Sequence, residues 1–216
     1  MKKLLIGTNN PNKFKVFTSY LQGLDVEFVS PSDLGLSDIP AENARNAIGN
    51  ALEKARAWHR ASGLPVITED SGLVFFDLPP DHPDQPGVMV RRASGHVMDD
   101  EEMLAWYSAI IRRHGGQLRS AWEDAWCVLK DETTYALHAD TPETLEHHMR
   151  LMVADPCAAR IPGWPLDSLT YSPIINKYVA EMTPEEKRAA ANANQTAAQA
   201  DQLQLIEWLR SEVRKL

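Results

Sequence analysis

The sequence predicts an α/β protein, a mixed sheet with helices flanking it. Three observations carry that expectation. The chain opens with a strand, a short polar loop and a helix. A second stretch of helical period then runs into an apolar strand. Strand-like and helix-like segments alternate from there to one or two helices at the C-terminus.

Taken in order, residues 3–7 are an apolar strand, and residues 11–21 a helix with Asn10 as N-cap and Pro11 at its first position. Residues 26–29 form a short strand. Apolar residues recur at Ala44, Ala47, Ile48, Ala51, Leu52, Ala55 and Trp58, the period of a helix over 44–62. The stretch VITEDSGLVFF, residues 66–76, reads as a strand, an acidic corner and a second strand. Residues 77–87 hold four prolines and three aspartates, a loop composition. Residues 99–114 form an amphipathic helix ended by Gly115-Gly116. Residues 121–129 and 133–138 pair as a hairpin about Asp131-Glu132. The period over 141–154 favours a helix, 156–173 is irregular and proline-rich, and 184–200 and 201–215 are helical.

The chain has 216 residues, 44% of them hydrophobic, enough for one large domain or two small lobes. Its formal charge of -8 disfavours a grip on long nucleic acid but leaves room for a small anion in a local positive pocket. Cys127 and Cys157 have no metal spacing and point to a reducing compartment. The opening apolar run is too short for a signal peptide, and no run is long enough to span a membrane. A soluble, cytoplasmic protein is expected.

Two places carry chemistry. The loop GTNNPNK joins the first strand to the first helix, whose free N–H groups and dipole form an anion site. Thr8 and Asn10 can donate hydrogen bonds there and Lys13 can add a charge; plain helix capping with a solvated lysine is the alternative. The adjacent acids Glu69 and Asp70 are costly to bury unless partnered, so they form either a metal-binding corner or a solvated turn. His147-His148 sit about 100° apart on a helix and share no face, which favours surface histidines over a metal site.

Further stretches follow in a fixed order: Asn50-Ala51-Leu52-Glu53-Lys54-Ala55, Glu69-Asp70-Ser71-Gly72-Leu73, Pro86-Gly87 with Arg92, Trp164-Pro165-Leu166-Asp167-Ser168, and Ala180 to Lys187. With Thr8, Asn10 and Lys13, this series resembles the inosine triphosphate pyrophosphatase family. The resemblance implies a mixed twisted sheet with flanking helices, a single domain over 1–216 with two lobes around a central cleft, and a homodimer. It implies release of pyrophosphate from a nucleoside triphosphate such as ITP, dITP or XTP, using Mg²⁺, with Mn²⁺ as the alternative ion. Asp70 and Glu69 would be catalytic and metal-binding. Thr8, Asn10, Lys13, Lys54, Ser71, Gly72 and Arg92 would hold phosphate, with Ser71 and Gly72 offering backbone N–H groups at a tight turn. Trp164, Asp167 and Lys187 would serve the base.

Departures from the family pattern set the questions for the structure. The acidic position before Asn50-Ala51 is Gly49 here, so Glu53 or Glu42 would have to replace a metal ligand. The family's Ser-His-Arg base-reading motif is replaced by Ala191-Asn192-Ala193, which implies an altered or relaxed base preference with Asn192 facing the base. A nucleotide-binding protein with impaired catalysis is the alternative reading.

Overall fold

A computed structural model describes residues 2–37, 40, 42–194 and 196–216; the side chains of residues 191–196, Asn192 among them, lie outside the described set. The chain divides into two compact units. One comprises Met1–Ser71, Glu123–Asp140 and Ala200–Leu216, the other Gly72–Trp122 and Thr141–Gln199. The strands form an open mixed sheet flanked by helices, and two long strands, β3 (Val66–Phe75) and β4 (Gln117–Leu129), contribute to both units.

In the first unit, β1 (Lys2–Ile6) lies between β2 (Val26–Val29) and β3, parallel to both. Helix α1 (Pro11–Tyr20) links β1 to β2, and α2 (Ala47–Ser62) leads from β2 towards β3. The period-2 alternation of β1 shows where the helices go. Leu4 and Ile6 pack with Phe17 of α1, Trp126 and Leu209, whereas Leu5 packs with Trp58 of α2. The two helices therefore cover opposite faces. Strand β4 pairs antiparallel with β5 (Tyr135–Ala139). The C-terminal α6 (Thr196–Arg214) supplies Leu209 and Val213 to the α1 side.

In the second unit, α3 (Asp100–Arg113) starts with a full capping box from Asp99 and Glu102. Its Tyr107, Ile110 and Ile111 pack with Leu73, Phe75, Leu118 and Met152. Antiparallel pairings run from β4 to β6 (Arg150–Val153), then β7 (Thr170–Ser172) and β8 (Lys177–Tyr178). Helices α4 (Pro142–His147) and α5 (Pro184–Asn194) complete it.

Two sequence expectations change. The stretch 141–154 is a short helix followed by a strand: Thr141 caps α4, the helix stops at His147, and Met152 instead pairs with Leu118 of β4. Pairing with a distant strand outweighs a local helical period there. The acidic corner is not a turn either. β3 runs unbroken through Glu69, Asp70, Ser71 and Gly72, so Ser71 and Gly72 belong to an extended strand. Among the described residues no helix is long and apolar enough to cross a membrane. Cys127 and Cys157 are both free and buried.

Candidate active site

In a parallel sheet whose order reverses, the loops at the carboxyl ends of the strands part at the reversal and leave a ligand crevice. Strand order β2-β1-β3 places that point beside the end of β1 and the middle of β3. The loop after β1 carries Thr8, Asn10 and Lys13. Asn10 caps α1, its side-chain oxygen accepting from the amides of Asn12 (2.9 Å) and Lys13 (3.4 Å). The Thr8 hydroxyl accepts from the Asn10 amide at 3.1 Å. Asn10 therefore caps the helix as that alternative expects, but Lys13 is not solvated: it reaches Glu69 of the acidic strand.

Because successive strand residues point to opposite faces, Glu69 and Asp70 have separate partners. Glu69 turns with Ser71 to the α1 side, where Lys13 Nζ stands 2.6 Å from its Oε2 and the Ser71 hydroxyl donates to Oε1. Asp70 turns with Thr68 to the α2 side. Thr68 donates to the Ala51 carbonyl at 2.6 Å, and Asp70 accepts from Asn50 Nδ2 (2.9 Å) and Lys54 Nζ (2.8 Å). Both acids are buried, at 8% and 7% exposure, so these partners are what make the charges tolerable. Burial opposes the charged forms of Lys13 and Glu69, but the pair outweighs it, holding the lysine above its ordinary pKa and the glutamate below.

Lys54 Nζ is also 2.8 Å from Glu42 Oε1. Two carboxylates, Glu42 and Asp70, thus converge on one cation-sized point. Gly49 explains how Glu42 gets there. A Cβ on Gly49 would stand 2.5 Å from the Cβ of Ala44, so only glycine lets residues 42–44 fold back on α2. That turn is tied by the Ala44 amide to Asn50 Oδ1 (2.9 Å) and by the Asn43 amide to Glu53 Oε2 (3.3 Å). Of the two candidate replacements for the missing acid, Glu42 is beside Asp70, and Glu53 is engaged in holding the turn.

Sequence reasoning did not single out Asp124. Burial and the charge of Glu69 push its carboxyl up to about 7, against the pull of Lys13. Its amide donates to Asp140 Oδ2 at 2.8 Å. The available signal was Glu123-Asp124, two acids interrupting an otherwise apolar strand.

The remaining candidates lie in the second unit. Gly72 is needed for packing: an added Cβ would meet the Gly87 carbonyl carbon and oxygen at 3.1 Å, where Leu73 and Gly87 exchange hydrogen bonds of 2.9 and 3.0 Å. Arg92 follows in the turn whose amide reaches Met89 O at 2.7 Å. Trp164 is half-buried and precedes the 3-10 turn Pro165–Ser168. Asp167 in that turn lies 3.8 Å from Lys187 Nζ. Burial raises the Asp167 pKa, and Lys187 and Arg150 act against the rise. Lys187 and Arg150 line a cavity of about 280 Å³ together with Tyr171 and Met182.

Among the described residues, three metal-ligating side chains come within 4.8 Å of one another in one place, at His82, Asp84 and His114 of the second unit. At the acidic strand, lysines occupy the space between carboxylates.

A sequence model of the Ham1 family matches residues 4–201. The chain is 30% identical over 198 residues to a dITP/XTP pyrophosphatase of Yersinia pseudotuberculosis, covering 90% of this chain and 94% of the relative. It is 31% identical over 196 residues to the dITP/XTP pyrophosphatase of Salmonella typhimurium, with the same coverage. Among solved structures it is similar to a HAM1 protein from Coxiella burnetii, with TM-score 0.71 and 20% identity over the full length of both chains. It is also similar to a nucleoside-triphosphatase / dITP/XTP pyrophosphatase from Mycobacterium abscessus, with TM-score 0.61 and 25% identity, covering 90% of this chain and 95% of that one.

Proposed function

As the chain belongs to the Ham1 family, we propose that it hydrolyses aberrant purine nucleoside triphosphates, such as dITP, XTP or ITP, to the monophosphate and pyrophosphate. The observation that carries this reading is the convergence of Glu42 and Asp70 on one cationic point, 2.8 Å from each. An all-oxygen donor pair suits a hard divalent ion, Mg²⁺ or Mn²⁺. Glu42 and Asp70 would hold it, with Lys54 giving up its central place, and the bound ion would neutralise triphosphate charge.

The chain's own residues supply the rest. Lys13 receives phosphate oxygens, and Glu69 keeps it aimed and charged until they arrive. Asp70, fixed by Asn50, orients a water towards the α-phosphorus and takes its proton. The water oxygen bonds to phosphorus, the bond to the bridging oxygen breaks, and pyrophosphate leaves. The loss of His and Arg at residues 191–193 broadens base preference. The protein works as a homodimer in the cytoplasm.

The binding-only alternative rested on Gly49 deleting a ligand. Glu42 standing beside Asp70 removes that reason. The test is a panel of dITP, XTP, ITP and the standard triphosphates with Mg²⁺, assayed for pyrophosphate. Turnover of the aberrant purines is expected. Thermal stabilisation by triphosphates without pyrophosphate from any of them would overturn the enzymatic reading.

A further inference from the structure

The proline-rich loop of the second unit is well fastened. Gln85 spans it, accepting the Phe75 amide at 2.9 Å and donating to the carbonyls of Phe75 (2.7 Å) and Leu78 (3.0 Å). On this fixed loop His82 and Asp84 flank Pro83, and His114 at the C-terminal cap of α3 meets them. His114 Nε2 is 2.8 Å from Asp84 Oδ2, and the two imidazoles stand edge to face with centroids 5.1 Å apart. One ligand atom from each of the three side chains lies within 4.8 Å of the others.

We propose that His82, Asp84 and His114 bind a divalent transition ion, Zn²⁺ foremost, which staples the 77–87 loop to the end of α3. Two imidazoles and one carboxylate are the donor set of a nitrogen-seeking ion and a poor set for Mg²⁺. The close contact between His114 Nε2 and Asp84 Oδ2 spans the ion's place. Two ligand atoms on one tetrahedral Zn²⁺ lie roughly 3.3 Å apart, so the His114–Asp84 pair at 2.8 Å must part by about half an ångström, while His82 closes on the ion from within 4.8 Å. Arg113 holds the other Asp84 oxygen, Oδ1, at 2.7 Å and so orients the carboxylate from outside. His114 also lines a cavity of about 410 Å³ with Asp77, Gln117 and Arg119, which leaves room for water as a fourth ligand. Ligation has a cost: the amide of Asp84 donates to His82 Nδ1 at 3.0 Å, and that bond or its tautomer must yield. This limits affinity, and it favours Zn²⁺, Ni²⁺ or Co²⁺ over weaker binders.

The site is independent of the nucleotide reading. Its test uses the full chain without a histidine tag, in excess Mg²⁺ to fill oxygen sites. Titration with Co²⁺ should give visible absorption bands that saturate at one equivalent, and Zn²⁺ should abolish them and raise Tm. His82→Gln and His114→Gln should each weaken binding by about tenfold or more, while Asp70→Asn leaves it unchanged. Circular dichroism of the metal-free variants verifies that they fold; should one fail to, competition of Zn²⁺ against a chromophoric chelator on wild type gives stoichiometry and affinity. Absence of saturable one-equivalent binding, or binding indifferent to both histidines, would overturn the proposal and leave the trio as a hydrogen-bonded clamp.

Discussion

Glu69 and Asp70, neighbours in sequence, face opposite sides of one strand: Glu69 meets Lys13 of α1 at 2.6 Å, and Asp70 meets Lys54 of α2 at 2.8 Å. The acidic pair is therefore two half-sites, each charge balanced by a lysine from a different helix. On the proposed function one half-site would handle phosphate, the other a cation and the attacking water. The predictions below test that division.

Lys13→Met leaves buried Glu69 without its counter-charge. Removing one partner of a fully buried pair costs about 3–5 kcal/mol; Lys13 is 28% exposed, so a loss of roughly 2–3 kcal/mol is expected in urea unfolding at pH 7. Glu69→Gln should cost less, since the charge it leaves unpaired is the more exposed of the two, 28% for Lys13 against 5% for Glu69. In the nucleotide assay Lys13→Met should also raise KM, as a phosphate ligand is gone.

Gly49→Ala would ordinarily favour a helix by nearly 1 kcal/mol. Here the new Cβ would stand 2.5 Å from that of Ala44, and such overpacking costs roughly 1–3 kcal/mol. A lower Tm is expected, together with a higher Mg²⁺ requirement, because residues 42–44 must move and carry Glu42 with them. A stabilised variant with normal Mg²⁺ dependence would show that the fold-back turn does not matter.

Asp124→Asn reports on a carboxyl whose pKa is raised in the folded protein to about 7. A raised acid binds its proton more tightly when folded, so wild-type stability falls as pH climbs from the unfolded value near 4 through about 7. The asparagine variant lacks that titration. In the metal-free protein it should match wild type near pH 4 and exceed it near pH 8, by a few kcal/mol at most. Denaturation at the two pH values checks the sign.

Gly72→Ala should destabilise by roughly 1–3 kcal/mol, because the methyl would press on the Gly87 carbonyl and strain the two Leu73–Gly87 hydrogen bonds. Chemical denaturation measures it. An unchanged midpoint would mean that the 77–87 loop yields freely, in conflict with the bonds by which its Gln85 holds Phe75 and Leu78.

Much of this was legible in the sequence because it is local. Asn10 capping α1, the period of α2 and the apolar strand beginning at Val66 all express short-range rules. The parting of Glu69 from Asp70 also obeys the strand period, but the expectation of a corner between two strands kept the two acids together and hid it. What was not legible depends on distant pairing. β6 forms because Leu118 and Met152 meet across β4, against a helical period that runs through His147. Asp124 joins Glu69 only once β4 enters the sheet, and Glu42 reaches Asp70 only because Gly49 lets the chain lie on α2. The missing side chain at residue 49 looked like a lost ligand, and it leaves the space in which residues 42–44 lie against α2.

The central claim is that Glu42 and Asp70 hold the divalent ion. It is tested most directly by titrating Mn²⁺ into wild type, Glu42→Gln, Asp70→Asn and Glu53→Gln without nucleotide, following free Mn²⁺ by its paramagnetic resonance signal. The account predicts weakened binding in the first two variants, by about tenfold or more for loss of a charged ligand, and a smaller indirect effect in Glu53→Gln. Weakened binding in Glu53→Gln with Glu42→Gln unchanged would contradict it.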